Sequence, residues 1–232
     1  MNKPHRYRPS QELRIIRGPI KPEWKGQTVT LIGGGPSLTT AQIVSVKEGW
    51  WAGLTRVIGV NDAYRIAPWI DGLYAADPPW WEMHIKAIRD THIPLLMCQD
   101  FEAASRWGLR HVAGPPSKFH GYTEGISTDP EYIHFGSNSG FQAMNIAFHL
   151  GAKRIILVGY DMKATPGKPS HWFGDHPPGL VNHYGYSNWV ISFEQAAPQL
   201  AEAGVEVINC TPDSAIKCFP SRKVSDVLRA YP

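Results

Sequence analysis

Five consecutive residues, Gly33-Gly34-Gly35-Pro36-Ser37, carry the densest chemical signal in the sequence. Glycines let a backbone approach a phosphate closely, and Pro36 suits the first turn of a helix. A helix N-terminus adds unpaired N–H donors and the positive end of a dipole. The pattern reads as an anion-binding loop, with a tight turn that binds nothing as the plain alternative. It is not a Walker loop, because no Gly-Lys-Ser/Thr follows, and it lacks the GxGxxG spacing of a dinucleotide fold. Polar residues recur directly after later apolar runs, as Asn61-Asp62, Asp77-Pro78 and Asp161. Ser137-Asn138-Ser139-Gly140 opens a small-residue helix with hydroxyl, amide and backbone donors suited to ribose, base or phosphate.

A second concentration lies further on. Ser170-His171-Trp172-Phe173-Gly174-Asp175-His176 and Asn182-His183-Tyr184-Gly185-Tyr186 place three histidines among aromatics. Histidine suits proton transfer because its ordinary pKa lies near neutrality. The spacing of His171, Asp175 and His176 also permits convergence on a metal ion within a turn. A loop packed by Trp172, Phe173 and Tyr184, with exposed histidines, is the structural alternative.

These residues need elements to position them. Short apolar, partly β-branched runs at 28–32, 56–60, 72–76, 93–98, 154–159 and 205–209 read as strands, and 39–49, 139–150 and 188–203 read as helices. Apolar strands alternating with helices predict an α/β, Rossmann-like, mostly parallel, doubly wound sheet in a single domain. In such a sheet ligands bind outside the carboxyl ends of the strands, so Gly33, Asn61, Asp77 and Asp161 are expected to converge. Residues 108–135 and 163–187 show no periodicity; both are expected to form a lid or acceptor wall.

At 232 residues with 43% apolar content, the chain buries one substantial core. Met1–Pro9 lacks the apolar stretch of a signal peptide and no run is long enough to span a membrane, so a cytoplasmic protein is expected. Cys98, Cys210 and Cys218 lack CxxC spacing and are expected to be reduced and mostly buried. The formal charge is +3, yet residues 1–25 carry seven basic side chains against two acidic ones, leaving the remainder net acidic. Residues 1–27 therefore read as a basic arm before a domain at 28–232: a solvated extension, or a contact for nucleic acid or another polyanion.

Gly33-Gly34-Gly35-Pro36-Ser37-Leu38, Val60-Asn61-Asp62-Ala63, Ala76-Asp77-Pro78 and the stretch 137–161 resemble two related groups. One is the bacterial lipooligosaccharide sialyltransferases; the other is the MptE-like 6-hydroxymethylpterin diphosphokinases. The resemblance runs in order over roughly residues 28–220. It implies a glycosyltransferase with a CMP-sugar-like donor and an acceptor hydroxyl. Gly33, Gly34, Gly35, Pro36, Ser37, Asn61, Asp77, Asn138, Ser139, Gly140, Asp161 and Lys163 would surround the nucleotide. Gly34 stands where the sialyltransferases carry an Asn, and Asp77 replaces another Asn, as in the MptE-like pattern. Lys163 replaces a tyrosine and would neutralise a phosphate. The resemblance implies a general base at His183, His176 or Tyr186. The glycosyltransferase reading needs no cofactor. The alternatives are a Mg²⁺-dependent diphosphokinase, with the metal on Asp77 and Asp161, and a nucleotide-binding module without catalysis.

Overall fold

The computed structural model describes residues 18–116, 124–167, 169–177, 180 and 185–229. Seven strands form one wholly parallel sheet: β1 (Thr28–Ile32), β2 (Arg56–Val60), β3 (Gly72–Ala75), β4 (Leu95–Cys98), β5 (Arg110–His111), β6 (Arg154–Val158) and β7 (Glu206–Asn209). Their order is β5-β4-β3-β2-β1-β6-β7. The chain thus winds outward from β1 in one direction as far as β5. It then returns through α4 (Ser139–His149) to lay β6 on the other side of β1. That reversal opens a crevice between the ends of β1 and β6, the place where doubly wound sheets bind ligands.

Alternate strand residues feed two cores. Leu31, Ile58, Ile155 and Leu157 face one cluster, which includes Phe141, Met144, Ile146, Phe193 and Leu200 from α4 and α5 (Tyr186–Glu202). Their neighbours Ile32, Val57, Ile156 and Val158 face the other. There they meet Val46 of α1 (Thr40–Trp51), Trp80, Trp81 and Ile88 of α2 (Pro78–Arg89), Ala103 and Ala104 of α3 (Phe101–Trp107), and Val224 of α6 (Val224–Val227). Burial on both faces is what makes these strands read as continuous apolar runs.

Three features differ from the sequence-based expectation. Asp100 accepts from the Ala103 N–H and caps α3, and the two-residue β5 follows; neither has the apolar run by which a strand or helix announces itself. The described end of the basic arm is part of the core, not an extension. Ile20 and Trp24 are buried, the Trp24 N–H donates to the Leu150 carbonyl, and Glu23 pairs at 3.0 Å with the buried Arg110. Five of the arm's seven basic residues lie at 1–17, outside the described residues.

The third difference concerns the irregular stretches. The described parts of 108–135 form no wall of the crevice. Ile126 and Ile133 enter the core, and the buried Asn145 of α4 holds the segment from inside. Its Oδ1 accepts from the Ser127 and His134 N–H groups at 2.8 and 3.0 Å, and its Nδ2 donates to the Ser127 carbonyl. Cys98 and Cys210 are buried and free, and Cys218 is half-buried. Among the described residues no helix is long and apolar enough to cross a membrane.

Candidate functional site

A cleft of about 490 Å³ opens at the carboxyl edge of the sheet. It brings together Gly33, Gly34, Gly35, Pro36, Asn61, Asp77, Asn138, Ser139, Gly140, Asp161 and Lys163 with His171, His176 and Tyr186. Ser37 stands behind this surface. His183 lies outside the described residues.

The glycine loop is shaped by its neighbours as much as by any ligand. The Gly33 and Gly35 N–H groups donate to the Val158 and Gly159 carbonyls. A Cβ on Gly33 would lie 2.6 Å from the Gly159 oxygen, and one on Gly35 would lie 1.8 Å from Asp161 Oδ2. The loop is therefore pressed against the end of β6. Gly34 is different, since a Cβ there would meet only His171 and Phe173 across the cleft, at 3.1 Å and beyond.

The helix read over 39–49 is present, but Pro36, whose chemistry suits a first helical turn, lies outside it. Helix α1 starts four residues later, and the side chains of Thr39 and Gln42 close its N-terminus in a reciprocal capping box. Ser37 instead donates from both N–H and Oγ to Asp161, at 3.2 and 2.9 Å. Burial pushes the Asp161 carboxyl up, while these hydrogen bonds and Lys163 oppose the shift. Helix α4 does present its first turn to the cleft, as do α2, through Pro79 and Trp80, and α5, through Tyr186. Asn138 caps α4 by accepting from the Phe141 N–H, and Ser139 and Gly140 line the cleft.

Strand ends supply the opposite side. Asn61 begins a short 3-10 turn, Asn61–Arg65, with φ +51°, and its Oδ1 is buried without a partner. Ser137 and Met162, also lining the cleft, have φ of +59° and +49°. Left-handed backbone at non-glycine residues costs about 1–3 kcal/mol each and concentrates at ligand sites. Asp77 precedes α2 without spending its side chain on a cap. Burial by the cleft walls pushes its carboxyl up, though the side chain is solvent-exposed and water damps that effect. Lys163 forms an ion pair with Asp213.

Residues 170–177 make the remaining wall. The Trp172 N–H donates to the Gly34 carbonyl at 3.0 Å, the His171 and Phe173 rings stack 4.9 Å apart, and His176 lies 4.7 Å from His171. Arg65, ion-paired to the buried Asp62, lies over the Trp172 and Phe173 rings. Burial lowers the pKa of His171, with nearby His176 adding to that effect. Burial also lowers His176, against the opposing pull of Asp62, Asp77 and Asp175. Burial thus favours the neutral form of both imidazoles. Among the described residues no group of three His, Cys, Asp or Glu side chains is arranged to hold a metal ion, so His171, Asp175 and His176 do not form the centre their spacing permitted.

The sequence reading missed Trp80, Phe173 and Trp189, which also line the cleft. Trp80 was within reach of reasoning: Asp77-Pro78-Pro79 is a helix start, which puts Trp80 in the first turn beside a strand end.

Neither a protein-family model nor a curated protein matches the chain, so the family resemblance rests on the quoted motifs. Among solved structures the chain is similar to that of MAf glycosyltransferase from Magnetospirillum magneticum AMB-1, with a TM-score of 0.59 and 13% identity. The match covers 92% of this chain and 36% of that one, so the chain spans about a third of that protein. The likeness is one of fold.

Proposed function

We propose that the chain is a glycosyltransferase that binds a nucleotide-activated sugar in this cleft and transfers the sugar to an acceptor hydroxyl. The observation that carries the reading is the convergence on one crevice of the glycine loop, the α4 N-terminus and His176, whose Nδ1 has no hydrogen-bond partner. The fold shared with a glycosyltransferase supports it. The donor phosphate lies against Gly34, Ser139 and Gly140, where the first-turn N–H groups and the dipole of α4 meet the negative charge, with Lys163 alongside. Asn61 and Asp77 contact the nucleotide or sugar from the β2 and β3 side. His176 takes the proton of the acceptor hydroxyl as that oxygen bonds to the anomeric carbon and the sugar–phosphate bond breaks. A neutral imidazole with a free ring nitrogen suits that step. His183 and Tyr186 are the competing candidates for the base.

A thermal-shift screen of CMP, UDP, GDP and ATP, with and without Mg²⁺, tests the reading, because a ligand selective for the folded state raises its stability. Stabilisation by a nucleotide, followed by sugar transfer that persists in EDTA, is the expected result. Phosphoryl transfer that stops in EDTA selects the diphosphokinase instead.

A further inference from the structure

Among the described residues, four buried side-chain polar atoms have no hydrogen-bond partner: Asn61 Oδ1, His84 Nε2, Trp172 Nε1 and His176 Nδ1. They belong to one region. Asn61 and His176 line the cleft, and Trp172 lies in sequence between His171 and Phe173, which line it, without lining it itself. His84 stacks on the cleft residue Trp80 at 4.6 Å, and its other nitrogen bonds the Tyr64 hydroxyl at 2.8 Å. Buried polar groups are costly to leave unmatched, and in a native protein a cluster of them asks for a ligand. At the cleft itself they offer an acceptor, Asn61 Oδ1, and an imidazole nitrogen of either role, His176 Nδ1. Hydroxyl and amide groups, which both give and accept hydrogen bonds, match that set.

Charge narrows the class. The groups facing this region are the carboxylates of Asp62, Asp77 and Asp175, the guanidinium of Arg65, and the imidazoles of His84, His171 and His176, whose pKa values burial lowers. Carboxylates outnumber the fixed cation, so a further anion is repelled. Lys163 and the α4 N-terminus stand at the other end of the cleft, after β6 and before α4.

We propose that the half of the cleft beneath β2 and β3 is built for a neutral ring bearing hydroxyl or amide groups. Under the glycosyltransferase reading, on which this rests, the donor sugar is an uncharged hexose or N-acetylhexosamine, not a carboxylated sugar. Calorimetric titration with UDP, UDP-glucose and UDP-glucuronate, with GDP and GDP-mannose, and with CMP and CMP-N-acetylneuraminate tests this. A neutral sugar is expected to tighten binding over the free nucleotide by roughly fivefold, the effect of one net hydrogen bond. UDP-glucuronate is expected to bind about tenfold more weakly than UDP-glucose, as one added like charge requires. Asp77→Asn should narrow that gap, and Asn61→Ala should remove the gain from a neutral sugar. A carboxylated sugar that binds as tightly as its neutral counterpart, or tighter than its free nucleotide, overturns the inference alone. So does an affinity indifferent to the sugar. Failure of every nucleotide to bind overturns the glycosyltransferase reading and the inference with it.

Discussion

The two aperiodic stretches, 108–135 and 163–187, look alike in composition and serve different ends. In the first, the described backbone is satisfied from within. The Asn145 amide acts on Ser127 and His134 as a β-strand would, and Gln199 does the same for Ile126 and Glu124. In the second, 170–177 is held by ring contacts, one backbone hydrogen bond to Gly34 and the Arg65 guanidinium, and it leaves Trp172 Nε1 and His176 Nδ1 unmatched. An irregular segment that completes its own hydrogen bonds is structure. One that leaves buried polar atoms open onto a cleft is poised for a ligand.

The largest effect that separates the two regions is expected at His176. His176→Ala should lower turnover on the order of 10²–10⁴, the range of a positioned acid–base group, with little change in melting temperature. If His183→Ala or Tyr186→Phe carries that loss while His176→Ala is silent, the base is reassigned. Activity removed by Asp77→Asn and Asp161→Asn together with its Mg²⁺ dependence selects the diphosphokinase.

Asn145→Ala should do the reverse. It strands two backbone N–H groups and a carbonyl in the core, so a loss of about 3 kcal/mol in chemical denaturation is expected, each buried unmatched group costing about 1–3 kcal/mol. Nucleotide affinity of the folded fraction should not change. An undiminished stability would mean the segment is not anchored through Asn145.

The glycine loop offers the same contrast between adjacent residues. Gly35→Ala drives a Cβ into Asp161 and should cost about 2 kcal/mol of stability, as an overpacked site does. Gly34→Val meets His171 and should weaken nucleotide binding while unfolding stays cooperative. Equal effects on stability and binding at the two positions would erase the distinction between a glycine required by packing and one required by the ligand.

The smallest effect is in pH. His149 is buried near Asn145, and burial holds its pKa below the ordinary value, against opposing help from the Tyr132 carbonyl and Asp129. The unfolded chain then binds the proton more readily than the folded one. The stability due to a neutral His149 is complete above about pH 6.5 and is lost as pH falls below it. A melting series from pH 7 to pH 5 should fall, and His149→Gln should flatten it by less than about 1 kcal/mol. An unaltered slope in the variant would exclude His149 as the source.

The long central strands were legible because burial on both faces writes them as apolar runs, and the polar residues at their ends named most of the cleft. Residues whose identity follows from tertiary contact were not. Arg110-His111 pairs as β5 with no apolar pattern, and Ile20 and Trp24 join the core from a segment whose charge suggested an arm. The first helix was legible from Thr39, where its capping box sits; that Pro36, suited to a first helical turn, stays outside it follows from the grip of Ser37 on Asp161, which lies 124 positions away.

The ion pair between Lys163 and Asp213 bears on how a ligand arrives. Lys163 is the one Lys or Arg among the described residues lining the cleft; Asp77 and Asp161 also line it, and its charge is already met by a partner whose side chain is 83% exposed. The described side chains lining the mouth therefore carry no net positive charge, and they do not draw an anionic donor in from a distance. Its encounter rate should fall in the unsteered range of about 10⁵–10⁷ M⁻¹s⁻¹ and vary little with ionic strength, leaving selectivity to how long the donor stays.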